Sequence, residues 1–286
     1  MIDLHTHSTA SDGTYTPEQL IAYAHAKNLK AIALTDHDTI DGIIEAQEMA
    51  KKLDIEFIPG IELSIQWPTG EFHLLGLGLQ TASDELKAAI EFLRQERDNR
   101  NQKMAEKLQE QGINITYDEV AEKAGTKTIG RPHFASLMIE KGFIKVRQQA
   151  FDKYFAKGRP CYVERTGLEL EDAVKAIKTS GGIPVQAHPL SMYVSWGKME
   201  DKIIEIQSTG VEGLEAWHPG IRVAEAYRLE ELAHKLGMIA TAGSDFHGEK
   251  VRADRKIGYT AGKSKIEDRY WYDELKPKLK GKEFML

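Results

Sequence analysis

The sequence predicts an α/β fold in which a parallel sheet, open or closed into a barrel, carries a helical insertion. Two observations support the sheet: short apolar runs alternate with stretches of helical pattern, and most of these runs end in a polar side chain. A third observation supports the insertion, because the middle of the chain lacks such apolar runs. A chain of 286 residues is long enough for one large domain with an insertion.

Seven short apolar runs have the length and composition of buried strands. Stretches of helical pattern separate many of them, which favours parallel pairing between neighbouring strands. The predicted strands are Ile2–His7, Ala31–His37, Glu56–Glu62, Glu71–Leu79, Ile183–His188, Gly213–His218 and Met238–Asp245.

Helix-start and helix-stop signals lie between the predicted strands. Thr16 and Gln19 form a capping box around Pro17, which predicts that a helix begins there. Gly181 and Gly237 each follow a helical stretch and predict its end. The further helices predicted outside the middle segment are Ile40–Leu53, Glu171–Ser180 and Val223–Leu236.

The middle segment is predicted to be helical throughout. Residues 83–111 contain no Gly or Pro and predict one long helix. A second capping box at Thr116–Glu119 starts another helix, and Phe134–Lys141 and Val146–Lys157 are further candidates. We therefore predict that residues 98–164 form a helical insertion, which caps the substrate site of a barrel built from residues 1–97 and 165–286.

Composition excludes several classes of protein. The net charge is −6, from 44 acidic and 38 basic residues, so no overall positive field favours nucleic acid. A local basic pocket could still hold a small nucleotide or an RNA end. The chain has one cysteine, Cys161, which we expect to be a buried small residue. With no secretory signal pattern and no apolar run of about 18 residues, we expect a cytoplasmic protein without a membrane segment or an evident protein partner.

Histidines and carboxylates recur where the predicted strands end. Side chains at i and i+2 of a strand share a face, so His5 and His7 can bind one ion, as can Asp245 and His247. Parallel β/α barrels place their active sites at the carboxyl ends of the strands. The residues in question are His5, His7, Asp12, Asp36, His37, Asp38, Glu62, His73, His188, His218, Asp245 and His247.

This set of side chains predicts a metal centre with more than one ion. A lone histidine at a strand end is usually an ordinary polar residue, but six converging strand ends are much harder to explain in that way. Imidazole and carboxylate without thiolate suit Mn²⁺, Fe or Zn²⁺. Such a centre fits phosphoryl or acyl hydrolysis, because one ion generates hydroxide while others hold the attacked group and the leaving oxygen.

The same residues resemble the PHP (polymerase and histidinol phosphatase) family of metal-dependent phosphoesterases. The shared motifs are Asp3-Leu4-His5-Thr6-His7-Ser8, Leu34-Thr35-Asp36-His37-Asp38, Gly60-Ile61-Glu62, His188-Pro189 and Gly243-Ser244-Asp245-Phe246-His247. The family fold is a distorted (β/α)₇, TIM-like barrel. The helical insertion resembles the bacterial branch of nucleoside 3′,5′-bisphosphate phosphatases and 5′-to-3′ exoribonucleases.

That resemblance implies a set of ligands, and the catalytic residues would act through the metals they hold. Three ions are implied, usually Mn²⁺ in this branch, with Glu62 bridging two of them. The implied ligands are His5, His7, Asp12, His37, Glu62, His73, His188, Asp245 and His247.

Two motifs in the insertion are candidates for phosphate binding. Arg97, Arg100 and Asn101 fall on one helix face, although a solvated face explains them equally well. Arg131 and His133 flank Pro132 at a helix N-terminus, where a phosphate binds readily, whereas the simpler alternative is an ordinary helix start.

Five other residues receive more modest interpretations. His25 and His234 lie in helical stretches without a partner at metal spacing, so we expect surface or packing roles. His218 is a candidate substrate contact or proton donor. Asp36 and Asp38 flank His37 and are expected to orient imidazoles rather than to bind metal.

The predicted function is metal-dependent phosphoester hydrolysis by attack of a metal-bound hydroxide. Arg131, with Arg97 and Arg100, would hold a second phosphate, which favours nucleoside 3′,5′-bisphosphates or the 5′ end of a short RNA. Three alternatives remain open: a phosphatase of the histidinol-phosphate type, a metal amidohydrolase, for which no matching lysine is present, and a module that binds without catalysis.

Overall fold

The computed structural model describes residues 1–125, 128–249, 251, 254–279 and 285. Seven strands form one sheet in which each strand lies beside its neighbour in the chain. They are β1 (Ile2–Asp3), β2 (Ala31–Leu34), β3 (Glu56–Ile65), β4 (Phe72–Leu77), β5 (Ile183–Gln186), β6 (Gly213–Trp217) and β7 (Ile239–Ala242). Every predicted strand is confirmed. Most are shorter than predicted, because the polar residues at their ends leave the ladder to form the site.

The expected parallel sheet is wrong at one strand, β4. It pairs antiparallel with both β3 and β5, whereas the other neighbouring pairs are parallel. Residues 66–71, which join β3 to β4, are too few for a crossover helix and allow only a hairpin. As a result the start of β4, with His73 opposite Ser64, lies at the edge where the parallel strands end.

Backbone and side-chain hydrogen bonds join the first and last strands and nearly close the sheet into a barrel. Beyond the ladders, the Leu4 amide donates to the Ala242 carbonyl at 3.3 Å, and the Asp245 amide donates to the His5 carbonyl at 2.9 Å. The buried Asp3 carboxylate accepts from the Ser244 hydroxyl at 2.6 Å and from the Gly258 amide at 2.7 Å. The barrel implied by the family resemblance is therefore present.

The helices are α1 (Pro17–Ala26), α2 (Ile43–Leu53), α3 (Asp84–Glu110), α4 (Tyr117–Ala124), α5 (Arg131–Glu140), α6 (Arg147–Ala150), α7 (Leu170–Thr179), α8 (Trp196–Ser208) and α9 (Val223–Lys235). Both predicted capping boxes are present, at Thr16 and Thr116. The predicted helix Val146–Lys157 is shorter, and its second half, Phe151–Phe155, is a π-helix. Helix α8 was not predicted, because Gly197 in its first turn weakens the helical pattern.

Helix α3 connects two apolar cores. Its first half packs Leu86 and Leu93 into the barrel core, and its second half packs Met104 and Leu108 into a separate core with residues up to Cys161. The second core contains no strand, and Cys161 is buried in it as expected. Within the described residues, we find no helix that is both long and apolar enough to cross a membrane.

Candidate metal centre

One end of the barrel gathers the side chains that the resemblance named as ligands. They come from the segments after β1, β2, β5 and β7 and from within β3 and β4. We call these nine residues the metal-ligand cluster: His5, His7, Asp12, His37, Glu62, His73, His188, Asp245 and His247.

Glu62 lies at the middle of the metal-ligand cluster and is fully buried. Its Oε2 atom is 3.3 Å from Nε2 of His5, 3.3 Å from Nε2 of His7 and 3.0 Å from Nδ1 of His37. Its Oε1 atom is 2.9 Å from Nδ1 of His73 and 3.0 Å from Nε2 of His188. A carboxylate with different neighbours at each oxygen is suited to bridging two cations.

The remaining carboxylates approach the same histidines. Asp245 Oδ1 lies 3.4 Å from Nε2 of His7 and 3.7 Å from Nε2 of His5. Asp12 Oδ1 lies 3.2 Å from Nε2 of His247, whose ring stacks on that of His7 with centroids 4.0 Å apart. Asp12 therefore reaches into the cluster from the connection between β1 and α1.

Three groups within the metal-ligand cluster have ligand atoms close enough to share an ion. In each group these atoms all lie within 4.8 Å of one another. The groups are His7, Asp12, His37 and His247; His5, His7 and Asp245; and His37, Glu62 and His73. Nε2 of His5 and Nε2 of His7 are 3.1 Å apart, close to the ~3 Å expected of two nitrogens bound to one ion at about 2.1 Å.

Several buried atoms in the cluster lack a hydrogen-bond partner, which fits bound cations. Among the described residues they include His7 Nδ1, His37 Nδ1, His73 Nδ1 and Glu62 Oε2. The nitrogens of His37 and His73 lie near Glu62 oxygens, but their geometry is not that of a hydrogen bond. Because buried polar atoms are normally satisfied, these unpartnered atoms indicate that the donor set is suited to binding cations.

Three imidazoles use one nitrogen to fix their orientation and present the other to the cluster. His188 Nδ1 contacts the Ser191 hydroxyl at 2.8 Å, and His247 Nδ1 donates to the Asp245 carbonyl at 3.0 Å. His5 Nδ1 contacts Oε1 of Glu215 at 2.9 Å. Each ring thereby turns Nε2 toward the cluster, the arrangement that metal-binding histidines use.

Glu215 was missed by the sequence analysis. It lies in β6, is fully buried, and its second oxygen accepts from the His188 amide at 2.8 Å. The sequence did contain an indication of its role, because an ionisable residue inside a short apolar strand needs a buried partner.

Asp36 and Asp38 differ from expectation, since they hold no imidazole among the described hydrogen bonds. Asp36 accepts from the Ser8 amide at 2.7 Å, and Asp38 accepts from the Ser64 amide at 2.9 Å.

The pKa shifts in the metal-ligand cluster show that its buried carboxylates depend on positively charged neighbours. Burial lowers the pKa of His7, but the nearby carboxylates of Asp245 and Glu62 outweigh this effect and raise it to about 10. Burial likewise opposes ionisation of Glu62, yet the surrounding imidazoles hold its pKa well below the usual value. Ionised carboxylates are thus stabilised here by cationic neighbours, a role that metal ions would take over.

Backbone strain is concentrated at this end of the barrel. Among the described residues, seven that are not glycine have positive φ, and four of them are Asp38, His188, Tyr193 and Asp245. Two of these four belong to the metal-ligand cluster, and the other two lie directly beside it. Such conformations cost free energy and persist where the surrounding fold imposes them, which is common in active sites.

A cleft of about 870 Å³ opens above the metal-ligand cluster. It is lined by three predicted phosphate-binding residues, Arg97, Arg100 and Arg131, and by two arginines that the sequence analysis missed, Arg147 and Arg165. We call these five residues the arginine cluster. Neither missed arginine stands in a recognisable motif, and Arg165 lies just outside the predicted insertion.

Two carboxylates, Asp38 and Glu71, offset part of the charge of the arginine cluster. Arg97 pairs with Asp38, while Arg165 contacts Nε2 of His73 at 2.6 Å. Arg131 is the first residue of α5 and stacks on the Tyr162 ring, 5.7 Å from its centroid. Burial and the neighbouring guanidinium groups hold the pKa of Arg100 well below its usual value, which indicates uncompensated positive charge.

Two predicted substrate residues, Asn101 and His133, lie away from the cleft, and a third, His218, lines it. Asn101 is fully buried; its amide donates to the Ile129 carbonyl at 2.9 Å, and its oxygen accepts from Arg100. His133 Nδ1 accepts from the Gly130 amide at 3.0 Å and caps α5. Neither belongs to the residues that line the cleft. His218 does line it, 3.4 Å from Asp245 and 2.8 Å from Arg255, another arginine that the sequence analysis missed.

The two histidines assigned to the surface are found there. His25 is exposed on α1, and His234 is exposed on α9, where Nε2 contacts Glu274 at 2.7 Å.

Comparison with known proteins agrees with this geometry. The PHP domain model matches residues 3–157. The chain is 34% identical to a 3′,5′-nucleoside bisphosphate phosphatase of Chromobacterium violaceum, over 91% of each chain. It is 32% identical to a 5′-3′ exoribonuclease of Haemophilus influenzae, over 86% of this chain and 89% of the relative.

A solved structure from Bifidobacterium adolescentis, described as a putative metal-dependent phosphoesterase, superposes with a TM-score of 0.84. It is 28% identical, and the match covers 96% of this chain and 94% of that one. The chain therefore belongs to the PHP domain family, a family of metal-dependent phosphoester hydrolases.

Proposed function

We propose that this protein removes the 3′-phosphate of nucleoside 3′,5′-bisphosphates, or removes nucleotides from 5′-phosphorylated RNA ends, or does both. One observation carries the proposal: the arginine cluster lines the same cleft as seven of the nine residues of the metal-ligand cluster. The first is suited to holding a phosphate that does not react, and the second to cleaving one that does. The relatives named for these two activities support the choice of substrate.

We propose that the nine residues of the metal-ligand cluster hold three divalent ions. The donors are imidazoles and carboxylates, so Mn²⁺ is favoured, and Fe or Zn²⁺ would also fit. Such ions supply a water nucleophile at neutral pH and offset the charge that develops on the phosphoryl oxygens. The unpartnered atoms of His7, His37, His73 and Glu62 support this assignment.

The arginine cluster has the complementary task of binding and orienting the second phosphate. Arg131 stands at the N-terminus of a ten-residue helix, where backbone amides and the helix dipole also favour an anion. Arg100 contributes charge that few carboxylates offset, and guanidinium groups can bind phosphate oxygens in pairs. A substrate with two phosphates would therefore be fixed at both ends before reaction.

One binding mode serves both substrates. In a 3′,5′-bisphosphate, the 5′-phosphate would bind the arginine cluster and the 3′-phosphate would lie over the metal-ligand cluster. In a 5′-phosphorylated RNA, the terminal phosphate would bind in the same place, and the next phosphodiester would take the position of the 3′-phosphate. His218, near Asp245 and Arg255, could then contact the substrate close to the reacting phosphate.

The test is hydrolysis of a substrate panel by the Mn²⁺-supplemented protein. The panel contains adenosine 3′,5′-bisphosphate, adenosine 5′-monophosphate, histidinol phosphate and a short 5′-phosphorylated RNA. We expect the bisphosphate, the RNA or both to be cleaved with a far higher kcat/KM than the two monophosphates. Preference for histidinol phosphate, or no hydrolysis of any member with less than one ion bound per chain, would contradict the proposal.

Two further assignments belong to this proposal. We propose that residues 98–164 act as the cap that brings Arg100, Arg131 and Arg147 over the barrel. We also propose that the protein works in the cytoplasm, where its single cysteine, Cys161, stays a buried thiol.

A further inference from the structure

Tyr193 is an exposed aromatic residue at the cleft whose surroundings do not explain it. Its relative exposure is 81%, and it lines the cleft beside Leu190. Within the described part of the chain, its ring makes no hydrogen bond or ring contact. Its φ is +56°, a conformation in which a bulky side chain is strained. A tyrosine held in this way contributes little to the core, which points to a role in binding.

A rigid turn fixes Tyr193 relative to the metal-ligand cluster. Residues Pro189–Met192 form one turn of 3₁₀-helix between His188 and Tyr193. The Ser191 hydroxyl lies 2.8 Å from His188 Nδ1 and donates to the Glu71 carbonyl at 2.8 Å. The Ser191 carbonyl accepts from the Glu71 amide at 2.8 Å, so the turn is tied to the β3–β4 connection.

Gly70 makes this anchoring tight. A Cβ atom at position 70 would lie 2.1 Å from the Ser191 carbonyl oxygen and 2.8 Å from Cδ2 of Tyr193. Only glycine therefore allows the β3–β4 connection to pack under the turn and against the base of the tyrosine ring. The backbone at Tyr193 is thus held by the same turn whose Ser191 hydroxyl contacts His188.

The cleft also has apolar and aromatic lining residues outside the arginine cluster. Leu190 and Tyr193 follow β5, Ile221 follows β6, and Val251 lies beyond β7; all four line the cleft. These side chains are apolar or aromatic, whereas the arginines come mainly from the insertion. A ligand that fits the whole cleft therefore carries anionic groups together with a flat apolar group.

We propose that Tyr193 is the stacking platform for the nucleobase of the substrate, and that it sets the preference for nucleotides over other organic phosphates. The inference rests on the proposed function, because that function supplies a ligand with phosphates and a base. Stacking of a base on an aromatic side chain tolerates any base, since every base has a π-face, and it changes affinity measurably when the ring is removed.

The test compares a ligand with a base and one without it. Calorimetric titration of Mn²⁺-supplemented protein with adenosine 5′-monophosphate and with ribose 5-phosphate isolates the contribution of the adenine. For the wild type we expect the nucleotide to bind about 10-fold or more tightly. Tyr193→Ala should remove most of that difference and leave the affinity for ribose 5-phosphate unchanged. Tyr193→Phe should retain it.

A matched control is Tyr227→Ala, which removes a 56% exposed tyrosine that is not among the residues lining the cleft. We expect this variant to bind both ligands as the wild type does. Equal affinity of the wild type for the two ligands, or an equal loss for both in Tyr193→Ala, would overturn the inference.

Hydrolysis of adenosine 3′,5′-bisphosphate, measured in parallel, tests the proposed function separately. A protein that binds the nucleotide through Tyr193 but leaves the bisphosphate intact would refute the proposed reaction and keep the stacking site. The opposite result would keep the proposed reaction and refute the stacking site. In that case the wild type and Tyr193→Ala would cleave the bisphosphate with equal kcat/KM, and both would bind the two ligands equally.

Discussion

The metal-ligand cluster and the arginine cluster line one cleft, yet they balance their charges in different ways. Five imidazole nitrogens lie within 3.3 Å of the Glu62 oxygens, so positive and negative partners alternate within the metal-ligand cluster. In the arginine cluster, Arg97 has Asp38 as a partner, whereas Arg100 is surrounded by other guanidinium groups. The first cluster offers a donor set for cations, and the second offers more guanidinium groups than the neighbouring carboxylates Asp38 and Glu71 can balance.

This difference assigns separate tasks to the two clusters. Loss of a residue in the metal-ligand cluster should impair the reaction with every substrate, because the reacting phosphate always lies there. Loss of a residue in the arginine cluster should affect only substrates with a second phosphate. The following predictions test that division, from the largest expected effect to the smallest.

The largest effect is expected for Glu62→Gln. An amide cannot replace a buried carboxylate that faces five imidazoles, so both metal binding and the charge balance of the site are lost. We expect kcat to fall by about 10³-fold on every phosphoester tested, with a reduced content of bound Mn²⁺. Glu45→Gln, which changes an exposed residue of α2, serves as the control and should keep full activity.

A smaller effect is expected for Glu215, which touches the metal-ligand cluster only through His5 and the His188 amide. We expect Glu215→Ala to weaken Mn²⁺ binding by about 10–100-fold, as measured by competition with a chelator. Glu215→Gln should lose less, because its amide oxygen can still accept from one of the two donors. Unchanged metal affinity in both variants would show that Glu215 does not position His5.

The smallest effect concerns stability without substrate. Because the arginine cluster has unmatched charge, phosphate or sulfate should bind there and raise the melting temperature by a few degrees, as ligand binding to the folded state requires. Arg131→Ala should reduce this rise, whereas Arg222→Ala, which removes an exposed guanidinium at the N-cap of α9, should not. If chloride at equal ionic strength produced the same rise, the effect would be one of general screening.

The sequence predicted the metal-ligand cluster better than the arginine cluster, for a physical reason. His5, His7, Asp245 and His247 follow short apolar strands, so the rule that parallel strands end at one edge brings them together. His73 also reached the cluster, although β4 runs antiparallel, since a hairpin returns the chain to the same edge. The short connection between β3 and β4 was visible in the sequence and could have predicted that reversal.

The arginine cluster depends on contacts that no local pattern records. Arg97 and Arg100 were found because they share a helix face, and Arg131 because it begins a helix. Arg147 and Arg165 were missed, since only the packing of the insertion on the barrel brings them to the cleft. Asn101 shares the face of Arg100 but turns into the helical core, a difference that spacing alone does not reveal.

The central claim is that the metal-ligand cluster cleaves the phosphoester and the arginine cluster selects substrates with a second phosphate. A ratio of two kcat/KM values tests this claim. The measurement is kcat/KM for adenosine 3′,5′-bisphosphate divided by kcat/KM for adenosine 3′-monophosphate, in the wild type and in Arg131→Ala, both supplemented with Mn²⁺. We expect a large ratio in the wild type. In the variant the ratio should fall by about 10–100-fold, which is the contribution of a charge-assisted hydrogen bond. The kcat/KM for the monophosphate should stay unchanged. An equal loss for the two substrates, or an unchanged ratio, would contradict the division of tasks.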